Sequence, residues 1–233
     1  MALGGLKLRA VLLDGLGTLV ALAPPWEALA AGLWRDYRIE LSTEQAEWAF
    51  TAEMHYYRAH HLQGRDAASL AALRRRCAEV LYASLPPHAA RALSLRQVMA
   101  AMLDSLRFSA YADVLSALTL LRARGLSLVV VSNWDVSLAP TLQGLGLGGC
   151  FDAVITSAQV GAAKPAPEVF RAALDLLGVS PREALHVGDD ARLDVLGARA
   201  AGVLPVLLCR QDVADAPVGV ATLSSLAELP AMI

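Results

Sequence analysis

The sequence predicts an α/β protein, a doubly wound parallel sheet with an all-helical block inserted after the first strand. Three observations predict it. Apolar runs without polar alternation, such as Ala10–Leu13 and Leu126–Val131, read as strands buried on both faces. From Asp113 onward such runs alternate with amphipathic segments, as a parallel sheet requires. Between about residue 25 and residue 108 only helical signals occur. The expected domains are 1–20 with 109–233 for the α/β core, and 21–108 for the helical insert.

The first strand, Ala10–Leu13, stops at Asp14, and Gly15 and Gly17 follow. Glycines there let the backbone turn sharply and approach a ligand closely. Ligands in open α/β sheets bind beyond the carboxyl ends of the strands, so Asp14 is a candidate nucleophile or metal ligand. The same position also suits an acid that merely caps a turn. Pro24 and Pro25 break the loop that follows.

Within the insert, Ser42 and Gln45 have capping-box spacing and open a helix. That helix carries one stripe of Ala46, Phe50, Met54, Tyr57 and His61 and a second of Trp48, Ala52, His55, Ala59 and Leu62, which predicts packing on two faces. Asp66 caps the next helix, Pro86-Pro87 ends it, and Leu93–Phe108 reads as another. After Asp113, Val114–Arg124 is an amphipathic helix closed by Gly125. Leu126–Val131 is a strand ending in Ser132-Asn133, and Asp135 caps a helix running to about Leu145. Ala153–Thr156 is a short strand, and Pro167 suits the first position of the helix that ends before Gly178. Ala184–Val187 is a strand ending in Gly188-Asp189-Asp190, Ala191–Ala201 is helical, and Leu204–Leu208 is a strand. Val218–Ala221 and Ser224–Leu229 are expected to add a last strand and helix.

Composition narrows the function. A formal net charge of −2 offers no general surface for nucleic acid. Apolar content is 56%, yet no run reaches the 18 or so residues of a membrane span. The apolar run after Lys7 and Arg9 is too short for a signal-peptide core. Cys77, Cys150 and Cys209 are scattered, which suits a reducing cytoplasm and not a disulfide framework.

Four polar clusters fall at or beyond the predicted strand ends: Asp14 with Thr18, Ser132-Asn133, Lys164, and Asp189-Asp190 with Asp194. The topology brings such ends to one edge of the sheet. Three acids and a lysine there suggest a hard divalent cation and an anionic substrate. Bringing two like unit charges to 4 Å costs about 4 kcal/mol at an effective dielectric near 20. A metal ion and Lys164 would offset that repulsion, and Ser132 with backbone N–H groups would hold further anionic oxygens.

In this order and context, DGLGTL (14–19), VVVSNWD (129–135), GAAKPAPEVF (161–170) and LHVGDDARLDVLGARAAGV (185–203) resemble the motifs of the haloacid dehalogenase-like hydrolases, in the branch with a helical cap after the first motif. The resemblance extends from Val11 to about Leu229. It implies a Rossmannoid core, an Asp14 nucleophile forming an aspartyl-phosphate, and Ser132, Asn133 and Lys164 around the transferring group. It also implies Mg2+ held by Asp14, Asp189, Asp194 and the Leu16 backbone carbonyl, with Asp190 as an optional ligand or else an N-cap. Thr18 would orient the first loop. The implied partner is a small anionic substrate, for a monomer or homodimer.

One position departs from the phosphatase pattern. The second acid of the first motif, which protonates the leaving alkoxide, is Leu16 here. General acid–base catalysis contributes roughly 10²- to 10⁴-fold, so the departure bears on rate and not on fold. Three functions follow: a Mg2+-dependent phosphate hydrolase, a catalytically inactive binding protein on the same fold, and a 2-haloacid dehalogenase. Dehalogenases of this family also lack the second acid, but they need no metal. A receiver domain is excluded by length and by the order of its acids. Candidates for substrate contacts are Arg58 and Trp26, with Tyr56, Tyr57, His60, His61 and Trp134 as further polar or aromatic positions. Tyr57 and His61 sit on an apolar stripe that favours a core position, and Arg74–Arg76 reads as a solvated face.

Overall fold

The computed structural model describes residues 7–210 and 217–233. The chain divides into two compact units, one of Met1–Ala21 with Ala110–Ile233, the other of Leu22–Ser109.

The first unit is built on six parallel strands: β1 (Ala10–Leu13), β4 (Ser127–Ser132), β5 (Ala153–Thr156), β6 (Ala184–Gly188), β7 (Leu204–Leu208) and β8 (Ala221–Leu223). Two further short strands, β2 (Val20–Leu22) and β3 (Phe108–Ala110), pair where the chain leaves this unit and returns. The sheet order is β5-β4-β1-β6-β7-β8. Every residue of β1 is buried, as the unalternating run requires. Leu13 lies level with Val130 of β4 on one side and with Val187 of β6 on the other. The chain builds outward from β1 through β4 and β5, then crosses back to β6. That reversal puts a crevice at the carboxyl end of β1, between Ser132 and Gly188.

The surrounding helices include α6 (Val114–Ala123), α7 (Leu138–Gly144), α8 (Ser157–Val160), α9 (Glu168–Leu177), α10 (Leu196–Ala200) and α11 (Leu229–Met232). Val169, Phe170, Ala173 and Leu174 of α9 pack with Leu12, Val129 and Val131 into one buried cluster. Gly178 closes α9 in the left-handed conformation, and Pro167 stands one place earlier than expected, as its N-cap. Asp135 bonds the Ser137 backbone N–H, and α7 itself begins only at Leu138. The last strand comes later than expected, at Ala221.

The helical unit contains α1 (Pro25–Tyr37), α2 (Thr43–His60), α3 (Ala67–Ser84), α4 (Pro87–Ala92) and α5 (Leu95–Ser105). Capping boxes at Ser42/Gln45, Asp66/Ser69 and Ser94/Gln97 start α2, α3 and α5. Its core gathers Leu29, Leu33, Phe50, Leu73, Leu81, Val98 and Met102.

Two expectations fail in this unit. Helix α2 buries Ala46, Ala49, Phe50 and Glu53, whereas the second predicted stripe is open, with Trp48 at 73% exposure and His55 and Ala59 exposed. Stripe membership follows from spacing alone, but burial follows from where the neighbouring helices stand. The predicted Leu93–Phe108 helix stops at Ser105, because Phe108 enters strand pairing in β3. Pro87 also begins a short helix of its own, at a position where its missing N–H costs nothing.

Candidate active site

The loop after β1 is folded tightly on itself. Leu19 and Val20 both donate their backbone N–H to the Gly15 carbonyl, and Gly17 donates to Val20. Gly17 has φ +82°, and a Cβ there would lie 2.1 Å from the Asp189 carboxylate. Only glycine fits between the loop and that acid. Asp14 stays in the ladder through its N–H to Val187 and is almost fully buried. Thr18 is completely buried, and its hydroxyl has no hydrogen-bond partner among the described residues.

From the end of β4, Ser132 is buried and hydrogen-bonds Asp14. Asn133 accepts the Lys164 backbone N–H at 2.7 Å and donates to the Lys164 carbonyl at 3.0 Å. The resemblance implies that Asn133 lies beside the transferring group. In the structure its amide holds the Lys164 backbone, which fixes where that side chain starts. Lys164 then reaches 2.5 Å from Asp14 Oδ1 and 2.6 Å from Asp194 Oδ1. Trp134 is buried and donates its indole N–H to the Ser137 hydroxyl at 3.3 Å.

Beyond β6, residues Ala191–Val195 wind as one π-helical turn. Such turns are frequent at functional sites, because they re-aim a side chain. Here Asp194 is turned back against Gly188, where an added Cβ would meet its carboxyl carbon at 2.1 Å. Asp194 Oδ1 accepts from Lys164 and from His186 Nε2 at 2.8 Å, and Oδ2 accepts the Asp190 N–H at 3.0 Å. Asp190 Oδ1 in turn caps the turn, accepting from the N–H groups of Arg192 and Leu193. Asp190 therefore acts as the N-cap that the sequence allowed.

One carboxylate oxygen each from Asp14, Asp189 and Asp194 lies within 4.8 Å of the other two. Burial raises the Asp14 carboxyl, although Lys164 opposes the shift. Lys164 is itself pulled down by burial, but Asp14 and Asp194 outweigh that and hold its ammonium well above the usual range. Burial likewise works against the Asp194 charge, yet Lys164 and the His186 hydrogen bond keep its carboxyl well below the ordinary value. The residue Asp189 is exposed overall, but its carboxyl end is turned toward the other acids. Lost hydration there, then the charges of Asp14 and Asp194, push it up to about 7. Three carboxylates facing one ammonium leave an excess of negative charge. The all-oxygen donor set fits a hard divalent cation such as Mg2+.

Leu16 lies in the same loop and is 38% exposed. Arg58 is exposed on α2, and Trp26 packs against the core of the helical unit. Two residues escaped the sequence reading. His186 is a fully buried polar residue within an apolar strand, and that exception was a visible signal. Arg210 carries no local signal at all, and its contacts form only in the folded protein.

A family model described as haloacid dehalogenase-like hydrolase matches residues 8–202. The mouse (Mus musculus) haloacid dehalogenase-like hydrolase domain-containing protein 3 is 45% identical over 97 residues, 42% of this chain and 39% of that protein. A phosphoserine phosphatase of Thermus thermophilus is 42% identical over 105 residues, 45% of this chain and 42% of that protein. The chain thus spans about two fifths of the length of the curated relatives it matches. The crystal structure of a HAD phosphatase from Thermococcus onnurineus is similar at 26% identity with a TM-score of 0.64, covering 95% of this chain and 96% of that one. Solved 2-haloacid dehalogenases share the fold at 22% identity.

Proposed function

The chain belongs to the haloacid dehalogenase-like hydrolases, and on that premise we propose that it hydrolyses a small phosphorylated metabolite through an aspartyl intermediate. The observation that carries this reading is the Asp14–Lys164–Asp194 chain with Asp189 beside it. Asp14 is the nucleophile. Lys164 and Ser132 hold oxygens of the phosphoryl group and steady Asp14, and Thr18 orients the loop that carries it. Asp14, Asp189 and Asp194, with the Leu16 carbonyl, would hold Mg2+, which would neutralise charge on the phosphoryl oxygens. Leu16 has no proton to give, so esters of good leaving groups are the better substrates.

A second reading, 2-haloacid dehalogenation, is favoured by Leu16, because halide leaves unprotonated. The cluster of three acids argues against it, since a halide-displacing nucleophile gains nothing from a cation-binding set. A screen of phosphorylated metabolites and 2-haloacids, with and without Mg2+, separates the two. Mg2+-dependent release of phosphate supports the first reading. Release of halide without metal replaces it with the second, and binding without turnover points to a catalytically inactive relative.

A further inference from the structure

The α/β unit holds a second charged cluster that the chemistry above leaves unused. Arg210, two residues beyond β7, donates Nε to the Gly17 carbonyl at 3.2 Å and Nη2 to the Thr18 carbonyl at 2.7 Å. The same guanidinium forms a bidentate pair with Asp113, at 2.9 and 3.0 Å. Its central carbon lies 3.7 Å from the centroid of the Tyr111 ring. Four of the five N–H donors of a planar fork are engaged at once. Asp113 is anchored in turn by the Ser225 hydroxyl and the Leu226 backbone N–H, both at 2.7 Å. The pair is largely buried, with side-chain exposures of 17% and 15%.

The two carbonyls that Arg210 holds belong to the loop that carries Asp14. That loop's own backbone bonds run to the carbonyls of Gly15 and Val20. Arg210 therefore supplies side-chain partners for the carbonyls of Gly17 and Thr18 in this loop. Gly17 is restrained from both sides, by Arg210 on its carbonyl and by the Asp189 carboxylate against its Cα.

We propose that Arg210 is a positioning residue: its guanidinium fixes the Gly17 and Thr18 peptides and thereby sets Asp14 and Asp189 at the spacing that a divalent cation and an anionic substrate require. What the site binds rests on the function proposed above. Lysine cannot replace Arg210, because one ammonium cannot bond two carbonyls, form a bidentate carboxylate pair and stack on Tyr111 together.

The test uses the full chain with Arg210→Gly, Arg210→Lys and Asp113→Asn. Mg2+ affinity is read by calorimetry, loop order by amide hydrogen exchange at Leu19 and Val20, and turnover on the best phosphate ester as kcat and KM separately. Arg210→Gly is expected to weaken Mg2+ binding on the order of tenfold, as loss of groups that orient metal ligands does. Exchange at Leu19 and Val20 should quicken, and kcat should fall while KM changes by less than about threefold. Millimolar guanidinium ion should restore part of the Mg2+ affinity of Arg210→Gly. Arg210→Lys should resemble Arg210→Gly. Asp113→Asn keeps both carbonyl bonds available and should show a smaller loss. An Arg210→Gly or Arg210→Lys protein with a lower melting temperature but wild-type Mg2+ affinity, kcat and loop exchange would overturn the proposal. If the wild-type chain neither binds Mg2+ nor hydrolyses phosphate esters, the function proposed above fails. In that case exchange at Leu19 and Val20 decides the role of Arg210 by itself.

Discussion

Asp14 and Lys164, 150 residues apart in the chain, meet at 2.5 Å in a site where the lysine side chain is 2% exposed. A buried pair of this kind is costly to break, because the surviving carboxylates keep their charge without a partner. Lys164→Met is expected to destabilise the protein by about 3–5 kcal/mol and to remove turnover. Chemical denaturation measures the first effect. A Lys164→Met protein of unchanged stability would mean that the acids neutralise themselves by taking up protons.

Mg2+ is expected to raise the melting temperature by binding the folded state alone, and Asp189→Asn should abolish that rise. The effect carries a pH signature. The Asp189 carboxyl is raised to about 7, above its unfolded value near 3.9, so the metal-free fold holds the proton more tightly than the unfolded chain. Its contribution to stability is complete at low pH and is lost as pH rises through about 7. Asp14 is raised as well and adds to the same trend. Asp194 is lowered, stays ionised in both states across this range and contributes a constant amount. The metal-free protein should therefore melt at a higher temperature at pH 5.5 than at pH 8, with a weaker dependence in Asp189→Asn. Mg2+ affinity should run the opposite way, falling about tenfold per pH unit below about 7 as the proton competes. A Mg2+ affinity that is flat between pH 5.5 and 8 would count against Asp189 as a ligand.

Asp14→Asn is expected to remove turnover and leave the chain folded, since the amide retains the size of the carboxyl but is no nucleophile. Circular dichroism and a turnover assay on the same sample check it. Wild-type rates in this variant would rule out covalent catalysis at Asp14.

His186 donates to Asp194 from a fully buried position, and its Nδ1 has no partner among the described residues. His186→Phe preserves the bulk beside Phe170 and deletes the bond. The expected result is a stability loss of about 1–3 kcal/mol, together with Mg2+ binding weakened on the order of tenfold. Equal Mg2+ affinity in His186→Phe and wild type would confine His186 to packing.

Leu16→Asp tests the missing proton donor. At 38% exposure, a carboxyl introduced there does not have to be buried. If proton transfer alone limits a phosphatase, kcat on alkyl phosphates should rise on the order of 10²-fold, and less on activated aryl phosphates. A folded, Mg2+-binding variant with no gain on any phosphate ester would shift the balance toward halide chemistry or a binding role.

The sequence by itself determined the strands and the acids at their ends. Ala10–Leu13 and Ala184–Val187 declare themselves because a strand buried on both faces has no polar alternation, and Asp14 and Asp189 stand just past such runs. The helical insert was legible from its capping boxes and apolar spacing, which are local properties of the chain. Tertiary structure alone decided which stripe of α2 is buried, since spacing does not say on which side α1 and α3 stand. It also decided that Asn133 grips the backbone of Lys164, that Asp190 caps a turn, and that Asp194 is shared by Lys164 and His186. Arg210 is the extreme case. Its partners at Gly17, Thr18 and Asp113 lie 193, 192 and 97 residues away, and no local pattern encodes contacts that exist only once the sheet has brought β1 and β7 onto one edge.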